Sequence, residues 1–240
     1  MTDAVRILTV DRLECGLVHY DWPFARDSAN EIAEHWARQT KLNPALFDGA
    51  VLLANGARTR LDARDQRVLE LDFFEVRFSQ FLRWRDVGFP DRSVYNCFAM
   101  PALRSGDGAF LLGEMGPSHS CAGQLYFPAG TPDRADVVGD RVDLDGSVLR
   151  ELFEETGIHV TSGMFTPGWH VVFDSQRIAC MKVIDWPKPA KELLEQVERH
   201  ISQEAEPELA RGHLVSARAQ LADDRLPGFM IAFLDRMLQQ

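Results

Sequence analysis

The stretch that decides the fold is Arg150-Glu151-Leu152-Phe153-Glu154-Glu155-Thr156-Gly157-Ile158. On an α-helix, Glu151, Glu154 and Glu155 stand at positions i, i+3 and i+4, so their carboxylates share one face. Like charges at this spacing repel, and a hard divalent cation that prefers carboxylate oxygens would remove the repulsion. The pattern therefore indicates a cation-binding helix face, and the alternative is a solvated acidic helix.

The residues around the three glutamates indicate how this helix is held. Arg150 precedes them and is able to pair with one carboxylate and fix its orientation. Apolar side chains on the helix predict that it packs on a sheet through Leu149, Leu152 and Phe153. We expect the helix to cover residues 146–156 and to end at Gly157.

Outward from this helix, strand and helix patterns alternate, which predicts an α/β or α+β layered domain over residues 93–240. Strands are expected at 95–103, 109–112, 124–127, 158–165 and 178–184, and further helices at 191–203 and 229–238.

The helix and strand signals of residues 1–92 predict a smaller α+β flank that packs on this domain. A capping box of Ser28 and Glu31 predicts a helix start, and Asn43-Pro44 predicts its end. Asn55-Gly56, between two apolar segments, predicts a hairpin turn. A strand is expected at 68–78 and a short helix at 78–84.

The composition of the 240 residues is that of a globular protein, with 45% hydrophobic and 26% charged residues. The net charge of −10 argues against non-specific nucleic-acid binding, because such a surface repels phosphate backbones. No apolar run approaches the roughly 20 residues of a membrane span, and the first residues lack the pattern of a signal peptide. We therefore expect no membrane partner and a cytoplasmic location. The cysteines lack metal-site spacing, which predicts reduced thiols at Cys15, Cys97, Cys121 and Cys180.

The stretch 150–158 resembles the second half of the Nudix box, G-x5-E-x7-R-E-U-x-E-E-x-G-U with U apolar, and matches each defined position. Leu125-Tyr126-Phe127-Pro128-Ala129-Gly130 is similar to the strand and turn that open the box. The first half departs from the pattern, because the sixth residue after Gly130 is Asp136 and thirteen residues separate it from Arg150. This spacing indicates a six-residue insertion. Five aspartates remain open as replacements for the first box glutamate: Asp133, Asp136, Asp140, Asp143 and Asp145.

The resemblance implies a Nudix-type mixed β-sheet between helices. It implies hydrolysis of the diphosphate bond in a small nucleoside diphosphate derivative, with Mg²⁺ or Mn²⁺ as cofactor. Carried over to this chain, it implies metal ligands at Glu151, Glu154 and Glu155 and at the carbonyl of Ala129. It also implies that Arg150 orients these glutamates, which together with Arg150 form the catalytic set.

Further roles stay open. The general base is expected outside the box, with Glu204, Glu206 and Glu208 as candidates, and His119 is a candidate phosphate contact. Residues 43–49 weakly resemble the N-terminal region of UDP-glucose pyrophosphatase-like Nudix proteins, which favours a nucleotide sugar as substrate. The alternative function is a non-catalytic Nudix-like domain that binds a nucleotide or a protein partner. A homodimer is an open alternative to a monomer.

Overall fold

The computed structural model describes residues 5–117 and 121–239, which form twelve strands and six α-helices. The strands are β1 (Arg6–Val10), β2 (Arg12–Leu17), β3 (Ala50–Leu61), β4 (Arg67–Arg77), β5 (Asn96–Arg104), β6 (Phe110–Met115), β7 (Leu125–Tyr126), β8 (Val137–Val138), β9 (Arg141–Val142), β10 (Trp169–Asp174), β11 (Arg177–Asp185) and β12 (Leu209–Val215). The helices are α1 (Pro23–Asp27), α2 (Ala29–Leu42), α3 (Phe78–Asp86), α4 (Leu144–Thr156), α5 (Ala190–Gln203) and α6 (Gly228–Met237). None of the helices in these ranges is long and apolar enough to cross a bilayer.

The strands of the described residues form two mixed sheets. The larger sheet has the order β1-β10-β11-β5-β6-β12 with β7 beside β6, and its β11–β5 pair is parallel. The smaller sheet has the order β3-β4-β2-β9-β8, with a parallel β2–β4 pair. Each sheet contains strands from both halves of the sequence. The N-terminal strand β1 belongs to the larger sheet, and the later strands β8 and β9 belong to the smaller one. The division into a flank and a domain at residue 92 stays a prediction.

The larger sheet lies between helices. On one face, Lys182 of β11 approaches Asp145 of α4 to 4.0 Å. On the opposite face, Phe98 of β5 packs edge-to-face against Phe229 of α6, with ring centroids 5.7 Å apart. One continuous apolar core includes side chains of both sheets, such as Phe73 of β4. The predicted α+β class, with a mixed sheet between helices, is confirmed.

Helix α4 packs on the sheet through a different set of side chains than predicted. Leu152 is fully buried, as expected, but Leu149 and Phe153 are 38% and 43% exposed, so their predicted packing is wrong. The buried row instead adds Leu144 and Val148, which stand at four-residue intervals from Leu152. The helix also begins two residues earlier than predicted, because the Asp143 side chain accepts a hydrogen bond from the Gly146 amide.

Two local signals in the flank are overridden by longer-range structure. The predicted hairpin at Asn55-Gly56 is wrong, because β3 continues through it as a bulge and pairs with β4 along its length. The turn lies at residues 62–66, where the Asp62 carboxylate accepts from two backbone amides. The helix predicted to start at Ser28 and to end at Asn43-Pro44 is confirmed as α2, whose N-cap residue is Ser28 and whose C-cap residue is Asn43. The capping box itself is wrong, because the Ser28 side chain makes no cap hydrogen bond.

The strand predicted at 158–165 is wrong as well. This segment contains a 3₁₀ turn, Ser162–Met164, and only Phe165 forms a bridge, to Ile184. Strands β1, β2, β10 and β12 and helix α1 were not predicted. The remaining expected elements are confirmed with boundary shifts of a few residues: β4, α3, β5, β6, β7, β11, α5 and α6.

Candidate functional site

The acidic face of α4 lines a cavity of about 460 Å³. Glu151, Glu154 and Glu155 form one wall, and the opposite wall is the segment between α5 and β12. The lining residues of that second wall are Glu204, Ala205, Glu206 and Glu208. The structure therefore brings the three predicted metal ligands together with the three predicted general-base candidates. We call this space, with its seven lining residues, the acidic cavity.

Glu155 is the most buried carboxylate of the acidic cavity, with 5% of the residue exposed. Its Oε1 accepts a hydrogen bond of 2.8 Å from the backbone amide of Ala129. Its Oε2 is buried and has no hydrogen-bond partner within the described residues. Burial, followed by the charges of Glu208 and Glu151, holds the pKa of Glu155 well above its usual value. The contact made by Ala129 is through its N–H, and a ligand role for its carbonyl stays a prediction.

Glu151 lies against Gly130, the last residue of the turn after β7. A Cβ atom at residue 130 would lie 2.3 Å from Glu151 Oε1, so only glycine leaves room for this carboxylate position. Glu151 is 7% exposed and pairs with Arg150 Nη1 at 2.8 Å. Burial raises the pKa of Glu151 to about 7, against the opposing effect of Arg150. The turn and the helix therefore fit each other at this carboxylate.

Arg150 connects the α4 wall to the inserted segment. Its Nη2 donates to Asp136 Oδ1 at 2.9 Å, and its Nη1 approaches Glu154 Oε2 at 3.2 Å. Asp136 is buried, and its Oδ2 accepts from the Asp133 amide at 3.0 Å. Of the aspartates left open by the sequence, Asp136 is the one that the structure places against Arg150.

The other four aspartates have separate local surroundings. Asp133 and Asp143 accept from the amides of Ala135 and Gly146 at helix starts. Asp145 faces Lys182, and Asp140 lies in the turn between β8 and β9.

We expect Asp136→Asn to destabilise the fold by about 1–2 kcal/mol. An asparagine removes the charge opposite Arg150. Its side-chain NH₂ group, itself a donor, would face another donor, either the Asp133 amide or the Arg150 guanidinium. Asp140→Asn, in an exposed turn, is the control and should change the free energy of unfolding by less than about 0.5 kcal/mol. Urea unfolding of both variants measures the difference, and equal stabilities would show that the Asp136–Arg150 contact has little energetic weight.

The six-residue insertion forms a small hairpin, β8–β9, which was not predicted from the sequence. The Leu17 amide donates to the Asp140 carbonyl at 2.9 Å, which adds the hairpin to the smaller sheet. Arg134 makes a bidentate ion pair with Glu75 of β4, with distances of 2.6 and 2.7 Å. The turn at Gly139-Asp140 between valine-containing segments was the available sequence signal. The hairpin and Arg134 together thus anchor the loop before α4 to the N-terminal strands.

The donor set of the acidic cavity suits a hard divalent cation. Six of the cavity's seven lining residues are glutamates, whose carboxylate oxygens are ligands that Mg²⁺ and Mn²⁺ prefer. One of these oxygens, Glu155 Oε2, is buried and unpartnered within the described residues. In the part of the chain that the structure describes, no three acidic, histidine or cysteine side chains are already arranged to hold a metal ion.

Two further polar residues, His119 and Glu114, lie upstream of residues 150–158, the box-like stretch. His119, the predicted phosphate contact, falls outside the described residues, and its role stays a prediction. Glu114, at the end of β6, is surrounded by Arg211, His213 and Arg225, whose nitrogens lie 2.8–3.0 Å from its Oε2. The Glu114 carboxylate is therefore engaged in ion pairs with β12 and the segment that precedes α6.

Comparison with known proteins gives likenesses to solved structures only. The chain is similar to the MutT protein from Methanosarcina mazei Go1, with 21% identity over 60% of this chain and 94% of that chain and a TM-score of 0.40. It is similar to a bifunctional NMN adenylyltransferase/ADP ribose pyrophosphatase from Francisella tularensis, with 15% identity over 60% of this chain and 41% of that chain and a TM-score of 0.42. A NUDIX hydrolase from Nitrosomonas europaea has 20% identity over 59% of this chain and 88% of its own, with a TM-score of 0.36. No protein-family model matches the chain, and the search of curated proteins found no match.

Proposed function

We propose that this protein is a metal-dependent hydrolase of the Nudix type that cleaves the diphosphate bond of a small nucleoside diphosphate derivative. The observation that carries the proposal is Glu155, a buried carboxylate with an unpartnered oxygen, among the described residues, beside two further glutamates of the box-like stretch. A buried carboxylate is costly unless it is paired or holds a cation. Its retention in a cavity open to small molecules favours a role in binding Mg²⁺ or Mn²⁺.

The side chains divide the work between the two walls. Glu151, Glu154 and Glu155 would hold the ion, and Arg150 keeps Glu151 and Glu154 oriented through its ion pairs. When bound, the ion would neutralise diphosphate oxygens and lower the pKa of the attacking water.

The second wall supplies the general base, and Glu208 is the best placed of the three candidates. Its negative charge contributes to the raised pKa of both Glu151 and Glu155. The Gly116 amide donates a hydrogen bond of 2.7 Å to its backbone carbonyl. We infer that its carboxylate accepts the proton of the attacking water.

The substrate class is proposed from the weak resemblance of residues 43–49, which favours a nucleotide sugar over a nucleoside triphosphate. Plain DNA or RNA should bind poorly at physiological salt because the net charge is −10. Cytoplasmic location and the absence of a membrane partner stay predictions, and a homodimer stays an open alternative.

The experiment is a screen of the purified protein with Mg²⁺ or Mn²⁺ against nucleotide sugars, other nucleoside diphosphate derivatives and nucleoside triphosphates. We expect metal-dependent release of monophosphates, fastest from a nucleotide sugar. Faster pyrophosphate release from triphosphates would reverse the substrate proposal.

The alternative, a non-catalytic nucleotide- or partner-binding domain, is favoured by one observation, the departure of the first half of the box from the pattern, with Asp136 and not a glutamate at the sixth position after Gly130. Binding of a panel compound without product formation under all metal conditions would support it and contradict the hydrolase.

A further inference from the structure

Helix α5 ends against the end of α4, and the contact is made by His200. Its Nε2 lies 3.0 Å from the backbone carbonyl oxygen of Glu154 and 3.3 Å from Glu204 Oε1. Glu154 belongs to the first wall of the acidic cavity, and Glu204 begins the second. One imidazole therefore touches both walls.

The surroundings of His200 define which ring nitrogen carries the proton. Both groups near Nε2 are acceptors, so Nε2 must be the N–H, shared between a helix-end carbonyl and a carboxylate. That carbonyl is one of the last in α4 and lacks a partner within the helix. The bond therefore satisfies the end of the acidic helix from a neighbouring element.

Gly157 makes room for this contact. It ends α4 with a φ of +66°, a left-handed conformation that favours glycine, and its amide donates to the Phe153 carbonyl. A Cβ at this position would lie 2.7 Å from His200 Nδ1. The glycine that closes the box-like stretch is thus required both by its own backbone and by the imidazole of α5.

We propose that His200 is a positioning residue that fixes the second wall of the acidic cavity to the first. This inference rests on the proposed function, because it assigns a catalytic consequence to the wall spacing. His200 holds the start of the 204–208 segment, and the Gly116 amide holds its end at Glu208. With both ends fixed, the Glu208 carboxylate keeps its place opposite Glu151 and Glu155.

We expect α5 to stay folded onto the domain without the His200 side chain. The helix is already buried through Leu193, Val197 and Ile201, which stand at helical spacing and face the sheet. Removing the imidazole should therefore release the 204–208 segment and leave the fold in place.

The experiment compares His200→Ala, His200→Gln and the control Lys191→Ala, which breaks an exposed ion pair with Glu195 on the same helix. We expect His200→Ala to lower kcat about 10-fold through misplacement of the second wall. Mn²⁺ affinity should change less than about 2-fold, since the α4 carboxylates stay. His200→Gln keeps an N–H donor and should recover most of the loss, and Lys191→Ala should behave as the unmodified protein.

Amide hydrogen exchange at Glu204 and Gly116 supplies a readout that does not depend on turnover, because the Glu204 amide donates to the Ile201 carbonyl and the Gly116 amide donates to the Glu208 carbonyl. We expect faster exchange there in His200→Ala and unchanged exchange in Lys191→Ala, at equal melting temperatures. Unchanged exchange in His200→Ala would overturn the inference even if the protein hydrolyses no diphosphate. Full kcat in His200→Ala, or equal losses in the Ala and Gln variants together with a lower melting temperature, would overturn it in an active enzyme.

Discussion

Glu155→Gln is expected to lower metal-dependent turnover by about 10²–10⁴-fold. The substitution keeps the side-chain shape and an oxygen that accepts from the Ala129 amide. It replaces the unpartnered Oε2 by an amide nitrogen and removes the negative charge of the carboxylate. If Glu155 binds the ion, the loss of one anionic ligand weakens both metal affinity and activation of the attacking water. Higher Mg²⁺ or Mn²⁺ concentrations should restore only part of the rate, because saturation does not return the missing ligand charge.

The same substitution should hardly change the stability of the metal-free protein. It relieves the repulsion between Glu155 and Glu151, which stands four residues earlier on the helix. The measurements are turnover on the best compound of the screen and thermal melts with and without metal. Glu195→Gln, at an exposed position of α5, is the matched control. Full activity and an unchanged metal-induced melting shift in Glu155→Gln would remove the central support of the hydrolase proposal.

The acidic helix face could be predicted because it depends on local geometry alone. Helical periodicity places Glu151, Glu154 and Glu155 on one side whatever the rest of the chain does. The same periodicity does not say which side faces the sheet, and for this reason Leu149 and Phe153 were assigned wrongly to the packed face. The position of Leu152 in the buried row is determined by the register of the whole helix on β5 and β11.

The surroundings of the glutamates could not be predicted, because they come from residues far apart in sequence. Asp136 contacts Arg150 at the start of a hairpin that pairs with β2, more than one hundred residues earlier in the sequence. The contact of His200 with the end of α4 likewise depends on how two helices pack. The β12 strand escaped prediction because its charged and glycine residues weaken the alternating pattern that identifies a strand.

Gly130→Ala is expected to lower turnover by about 10²-fold with little change in melting temperature. The added methyl group would lie 2.3 Å from Glu151 Oε1, so the carboxylate has to move. Because the obstructing atom is the end of a flexible side chain, the fold can accommodate the change by rotating Glu151 away. Gly130 is not among the glycines with positive φ, so alanine adds no left-handed backbone strain.

Gly16→Ala is the matched control for this variant, because no atom lies within 4 Å of the Cβ position there and its φ is not positive either. Turnover and Mn²⁺ titration of both variants, with thermal melts, separate an effect on the site from an effect on the fold. We expect weaker Mn²⁺ binding in Gly130→Ala and not in Gly16→Ala. The displaced Glu151 carboxylate loses its ion pair with Arg150, and with it the orientation in which it would bind the ion. If Gly130→Ala loses activity only in proportion to a lowered melting temperature, the turn serves folding and the close fit to Glu151 has no role in the reaction. If activity falls while the melting temperature holds, the position of one carboxylate, set by the absence of one methyl group, controls the rate.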